Sequence, residues 1–291
     1  MLKADSARNR LIGIGIISVT FACFAVLDAT AKWLVRSLPV IEVVWLRFVG
    51  HVLFTGLLLA PRHGLTLLRA RHPWLQLLRA AMLFAMTALN FWALQYLQLA
   101  ETGAVQFAVP ILIALFSAWL LGERLDAGRW AAVVVGFVGV LLIMRPGTGG
   151  FHPAILLTAV NAVIYALFNL LTRRLAAVDS PEATQFLSAL ACAALLTPFG
   201  IAVWRTPASG TEWALIGLVG IAGGLGHWLL AVAHRFAPAS VLGPFLYQQI
   251  LWMTLFGWLV FGDVPGLPVV AGTAVVIASG LYLLARERGA R

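Results

Sequence analysis

The sequence of 291 residues is 62% hydrophobic and only 11% charged, with a formal net charge of +9, whereas an average soluble domain is about half apolar and roughly a quarter charged. Its two cysteines, Cys23 and Cys192, fall within apolar runs, which argues against a disulfide framework. No Walker A, HExxH, GxSxG or dinucleotide pattern is present, so no cofactor and no ATP-driven step within the chain are expected.

Ten apolar runs can be drawn, at residues 11 to 33, 40 to 60, 74 to 98, 102 to 121, 129 to 144, 153 to 172, 183 to 204, 213 to 234, 238 to 261 and 267 to 285. Most approach the ~20 residues a helix needs to cross about 30 Å of hydrocarbon. Continuous apolarity without alternation excludes a barrel, leaving helices as the structure that satisfies its own backbone in lipid. The fold class is therefore all-α integral membrane, with ten transmembrane helices.

In chain order, span one follows Lys3, Arg8 and Arg10 but runs past the length of a signal core, with no small-residue cleavage site, so a retained helix is expected. It carries Asp28, the one acid well inside a span, with Lys32 four residues on and able to neutralise it. Asp28 and His234 are the candidates for proton coupling. Span two holds Arg47, with Val43 and His51 on its face and no intrahelical acid. A mid-membrane charge costs at least ~2.5–3.5 kcal/mol, so Arg47 is read either as a carboxylate ligand or as a structural partner for backbone carbonyls. Span three has Arg79 near its start, placed to snorkel outward, and ends ALNFWALQYLQLAETG. Asn90 and Trp92 there are cavity candidates, while Tyr96 fits an interfacial belt better. Span four has Pro110 in its first half, and span five has Gly136 and Gly139, which suit close packing.

Span six places Asn161, Tyr165 and Asn169 at i, i+4 and i+8, one polar stripe that either lines a path or packs against other polar groups. Span eight gives His227 and His234 one face, a poor metal site without further ligands. Span nine opens LGPFLYQQILW, where Gly243 and Pro244 are candidates for a bending point beside Pro110. Tyr247, Gln248 and Gln249 fan over about 200° of helix, so they cannot all touch one ligand. Gln248 and Trp252 share a face, and at least one glutamine must meet a cavity or a neighbouring helix.

The stretch TGAVQFAVPILIALFSAWLLGERL has a partner in ASVLGPFLYQQILWMTLFGWLVFGDVP, with Gly122-Glu123 echoed by Gly262-Asp263. Glu42 likewise lies opposite Glu182. Five spans per copy is an odd number, so the copies, 1–145 and 146–291, insert upside down relative to each other, an inverted-topology repeat with its site near the midplane. Basic residues crowd the loops on the N-terminal side (Arg62, Arg69, Arg71, Arg173, Arg174 and Arg235 among them), whereas Lys32, Arg36, Arg145 and Arg205 fall opposite. That bias places both termini in the cytoplasm and assigns the charge to membrane orientation instead of nucleic acid.

Arg47 in WLRF, the LLGERL closing span four, GFVGVLLIMRPG of span five and their echoes VFGDVP and ASGLYLLAR resemble the drug/metabolite transporter superfamily, in its ten-helix EamA-type members. Among these the chain is similar to bacterial amino-acid exporters of the YddG type. The second copy departs from the pattern in Gly262-Asp263 and in having Leu187 near the place of Arg47. The resemblance implies ten helices around a central cavity, with spans five and ten bracing the others. The expectation is a monomeric secondary transporter of the bacterial inner membrane, exporting amino acids or related small molecules across the lipid bilayer by alternating access. An exporter of other metabolites or lipophilic drugs, or a channel, are the alternatives; an enzyme is not expected. Expected cavity-lining residues are Arg47, Asn90, Trp92, Asn161, Tyr165, Asn169, His227, Tyr247, Gln248 and Trp252, with Pro110, Gly243 and Pro244 as hinges.

Overall fold

A computed structural model describes residues 6–121, 127–145, 152–175, 178–237 and 242–289. The helices are α1 (Ala7–Leu34), α2 (Val40–His63), α3 (Pro73–Leu94), α4 (Leu99–Gln106), α5 (Val109–Leu121), α6 (Ala127–Met144), α7 (Ile155–Leu175), α8 (Pro181–Ala202), α9 (Gly210–Phe236), α10 (Gln249–Phe261) and α11 (Leu267–Gly289). Short 3-10 segments occupy Gly64–Leu68 and Gly243–Gln248. Gly122, Glu123 and Arg124, and the join between the two copies after Arg145, lie outside the described residues, as do the surroundings of Gly243 and the side chain of Pro244.

Helix starts follow local chemistry. Ser6, Ser180 and Ser209 each accept from a backbone N–H three residues on, and Gln98 with Glu101 forms a capping box at α4. Apolar side chains such as Leu57 (80% exposed) and Trp119 (77%) cover the outside, while Glu42 and Arg47 are buried. A water-soluble fold has the opposite distribution.

Among the described residues six helices are each long and apolar enough to cross a membrane, and shorter apolar helices at Leu99–Ile113, Trp130–Met144, Gln249–Phe261 and Leu267–Leu283 supply the rest of the ten-span, all-α fold. Two of the short ones belong to spans that break. Span four stops at Gln106 and restarts at Val109, which puts Pro110 in the first turn of α5, where its missing N–H leaves no ladder bond unmade. Span nine passes through the 3-10 segment containing Pro244 before α10 begins. The breaks touch: Phe107 meets Tyr247 edge to face at 5.3 Å between ring centres.

Contacts follow the pattern of a five-plus-five inverted repeat. Span one (α1) packs on spans eight (α9) and nine (α10), and span six (α7) packs on spans three (α3) and four (α4, α5), so advancing each by five converts one set into the other. Spans two and seven, four and nine, and five and ten pair with their own counterparts. The last pair, α6 with α11, meets at Gly139 and Gly272, where a Cβ on Gly272 would lie 2.6 Å from the Gly139 carbonyl oxygen. Only glycine allows backbones that close.

Candidate functional site

The Gly-acid end of span nine has a structural explanation. Gly262, at φ +71°, ends α10 in the left-handed region that glycine enters without penalty. That turn presents Asp263 to Lys32, whose Nζ lies 2.6 Å from Asp263 Oδ2 and donates to the Leu97 carbonyl at 3.0 Å. Lys32 therefore ties spans one, three and nine together at one end of the bundle. It does not neutralise Asp28, the partner expected from i, i+4 spacing, because the lysine stem reaches the helix end, where better acceptors stand.

Arg79 differs from expectation in a similar way. Its guanidinium turns inward, donating to Thr172 Oγ1 at 2.9 Å and Ser188 Oγ at 2.6 Å, and stacks over Phe168. Spans six and seven converge on it, so interhelical bonds replace the interface water that snorkelling would have reached. On the same side, Gln76 donates to Asp179 and Thr184, and Arg235 pairs with Glu182. Polar ties thus close the helix ends at both sides of the bundle.

Between them lies a buried polar array. Asp28 accepts from Asn90 Nδ2 at 2.8 Å, and Asn90 Oδ1 accepts from Gln106 at 3.2 Å. Gln106 in turn lines a cavity between spans four, six and nine, together with Pro110, Tyr165, Asn169 and Gln249. Its volume is ≈ 100 Å³, room for a few waters at ~30 Å³ each and below the ~300 Å³ at which small-molecule pockets begin. The break between α4 and α5, at Phe107 and Ala108, borders this cavity.

Beside Asp28 stands a second group. Arg47 is 3% exposed; its Nη2 lies 3.5 Å from His227 Nε2, and its Nε and Nη1 have no hydrogen-bond partner among the described residues. His51, one turn along α2, stacks on His227 with ring centres 5.7 Å apart, and both of its nitrogens are likewise unpartnered. Phe24 and Phe48 close this group with aromatic faces.

The structure thus brings together Asp28 with Asn90, Arg47 with His227, and Tyr165 with Asn169, whose side chain donates to the Tyr165 carbonyl at 2.8 Å. Asn161 is buried one turn before Tyr165, its Oδ1 without a partner among the described residues. Other residues are placed elsewhere. Trp92 is 48% exposed on the outer face, and His234 is exposed near the end of α9, its ring 2.9 Å from the Leu230 carbonyl. Tyr247 packs between Phe107 and α11, Gln248 precedes α10 with no side-chain capping bond and with its Nε2 buried and unpartnered among the described residues, and Trp252 stacks on Phe256. His51, Gln106 and Gln249 were not among the expected lining residues. Gln106 carried a signal, a lone amide in an apolar run four residues before a proline.

Comparison with known proteins adds a family and relatives. The sequence pattern of the EamA-like transporter family matches residues 11–145 and, a second time, 152–285. The S-adenosylmethionine uptake transporter of Rickettsia felis is 26% identical over 290 residues, covering 98% of this chain and 97% of that protein. A riboflavin transporter of Rhizobium johnstonii is 28% identical over 273 residues, 91% and 88% of the two chains. One solved crystal structure superposes with a TM-score of 0.66 at 25% identity, covering 97% of this chain and 99% of the other.

Proposed function

The chain belongs to the EamA-like transporter family, and we propose that it carries neutral amino acids or metabolites with an amino-acid end across a bacterial inner membrane by alternating access. Membership makes it a transporter of small metabolites through a lipid bilayer and not an enzyme. The observation that supports the amino-acid reading is the buried polar line from Gln106 through Asn90 to Asp28, which joins a cavity carrying three amides to a buried acid, together with the buried Arg47 guanidinium beside His227. A side chain would occupy the cavity and a polar head the charged end.

In this reading the two halves, 1–145 and 146–291, rock about the midplane, with Pro110 and Pro244 as bending points, in a monomer whose termini are cytoplasmic. Movement either follows the substrate gradient or is coupled to protons, and export follows whenever the substrate is concentrated inside. Asp28 is the candidate coupling group because it adjoins the substrate path, whereas His234 does not.

The names of the relatives favour a second substrate, a larger molecule with a ring system. S-adenosylmethionine itself has an amino-acid end, so it satisfies both readings. The test is counterflow in liposomes holding the purified protein, with radiolabelled phenylalanine, tryptophan, methionine, threonine and S-adenosylmethionine. Saturable counterflow of an amino acid, lowered at least about tenfold by Gln106→Leu or Asn90→Leu in folded protein, is the expected result. Movement of S-adenosylmethionine alone transfers the substrate to the larger class. Failure of all five, or flux that does not saturate, refutes the proposal.

A further inference from the structure

The amides that line the cavity between spans four, six and nine are held in a fixed sense. Asp28 Oδ1 accepts from Asn90 Nδ2 at 2.8 Å, which leaves Asn90 Oδ1 for Gln106, and Gln106 meets that oxygen with its own amide nitrogen at 3.2 Å. On span six the Tyr165 carbonyl accepts from Asn169 Nδ2 at 2.8 Å. A carboxylate oxygen and a backbone carbonyl only accept, so neither amide chain can turn over without losing a bond.

Gln106 and Asn169 thus face the cavity with their nitrogens engaged, and Gln106 Oε1 and Asn169 Oδ1 make no hydrogen bond among the described residues. Each amide keeps two acceptor positions and one N–H. Hydrogen bonds in series polarise one another, so the pull of Asp28 on Asn90 strengthens the negative end that Gln106 carries on its oxygen. Gln249 and the Tyr165 hydroxyl make no hydrogen bond among the described residues and can turn to serve donor or acceptor alike. No charged residue lines the cavity among the described residues; Arg47 and Arg79 stand outside the lining.

An apolar group in this space would leave both oxygens desolvated and unpaired. A carboxylate, which only accepts, would meet them oxygen to oxygen. An uncharged donor satisfies them. The volume of ≈ 100 Å³ holds about three groups the size of a water at ~30 Å³ each, the end of a small side chain.

We propose that Gln106 and Asn169 select, among amino acids, those whose small uncharged side chain donates a hydrogen bond, a hydroxyl or a carboxamide. Asn90 and Asp28 are positioning residues that fix the sense in which Gln106 is presented. The inference rests on the amino-acid reading above, in which the side chain enters the cavity.

The experiment uses the same proteoliposomes and compares amino acids of equal shape as competitors of counterflow: threonine with valine, and asparagine with leucine and aspartate. In the unsubstituted protein threonine should compete about three- to tenfold better than valine, the worth of one net hydrogen bond between uncharged groups. Asparagine should exceed leucine similarly, and aspartate should compete worst. In Gln106→Leu and in Asn169→Leu the order of threonine and valine should level or invert, because an unpaired hydroxyl is costlier to bury than a methyl group. Asp28→Asn lets the amide chain run in either direction, so the threonine preference should fall there too, whereas Gln249→Leu, which removes an amide with no fixed sense, should keep it. Each preference is a ratio within one protein, so a general loss of flux cancels, and size-exclusion profiles with melting establish that each variant is folded. Equal competition by valine, or aspartate matching asparagine, in the unsubstituted protein overturns the inference without any variant, and so does an unchanged threonine preference in folded Gln106→Leu and Asn169→Leu or in folded Asp28→Asn. If no amino acid moves at all, the amino-acid reading falls and takes this inference with it; if amino acids move without regard to a side-chain donor, only this inference falls.

Discussion

Replacing Gly220 by alanine tests the geometry that holds Arg47 and His51 against His227. Helices α2 and α9 cross with backbones in contact: a Cβ on Gly220 would lie 2.6 Å from the Gly50 Cα, and one on Gly50 2.8 Å from the Gly220 Cα. Carbon atoms pack at ~3.5–4.0 Å, so the helices must part by roughly 1 Å. Forced overpacking of that kind costs ~1–3 kcal/mol. Alanine is itself the better helix former, by roughly 0.5–1 kcal/mol, which obscures the effect in a single variant. Gly217, one turn earlier on α9, supplies the control, because a Cβ there meets nothing within 4 Å. The propensity gain cancels between the two variants and leaves the overpacking. At ~2–4 °C per kcal/mol for a chain of this class, Gly220→Ala should melt roughly 2–12 °C below Gly217→Ala, followed by intrinsic tryptophan fluorescence in detergent. His51 and His227 flank the same crossing, so amino-acid counterflow should fall in Gly220→Ala and persist in Gly217→Ala. Equal melting of the two variants refutes the close crossing.

Asp263→Asn should lower stability by ~1–3 kcal/mol because it leaves Lys32 half-paired in a largely buried position. The double variant Lys32→Met with Asp263→Leu should recover part of that loss, as a thermal double-mutant cycle would read. Arg79→Lys keeps the charge but cannot span Thr172 and Ser188 together, so a loss of about 2 kcal/mol is expected in the same melt. Tyr247→Phe removes a buried hydroxyl that has no partner among the described residues, and should leave stability unchanged or raise it by up to ~1 kcal/mol. Tyr247→Ala removes the ring from Phe107 and should cost ~3–5 kcal/mol; a large loss in Tyr247→Phe would reveal a bond to the hydroxyl.

Much of the fold was legible because lipid makes hydrophobicity nearly one-dimensional. A run of about 20 apolar residues has few options but to span as a helix, and Pro110 and Pro244 lie where spans four and nine break, although Pro198 sits inside the continuous α8. The site was less legible, for two particular reasons. Lys32 lies four residues from Asp28, and spacing suggested a pair, but a long side chain chooses among acceptors that other spans bring: Asp263 is 231 positions away in sequence and 2.6 Å away in space. The amides of span nine form a cluster that stands out in the sequence, whereas Gln106 is a single amide in an apolar run, and its link from Asn90 to the cavity exists only across helices.

The sequence by itself determined the number and kind of spans and the burial of Asp28 and Arg47, since each follows from the cost of placing a given side chain in hydrocarbon, whereas Arg79, placed to snorkel by its position, is turned inward by partners on other spans. Tertiary structure alone decided which polar groups meet. Hydrogen-bond partners are selected by distance across helices, and the crossing of α2 with α9 at Gly50 and Gly220, which brings Arg47 and His51 to His227, is a property of two surfaces that no single span contains.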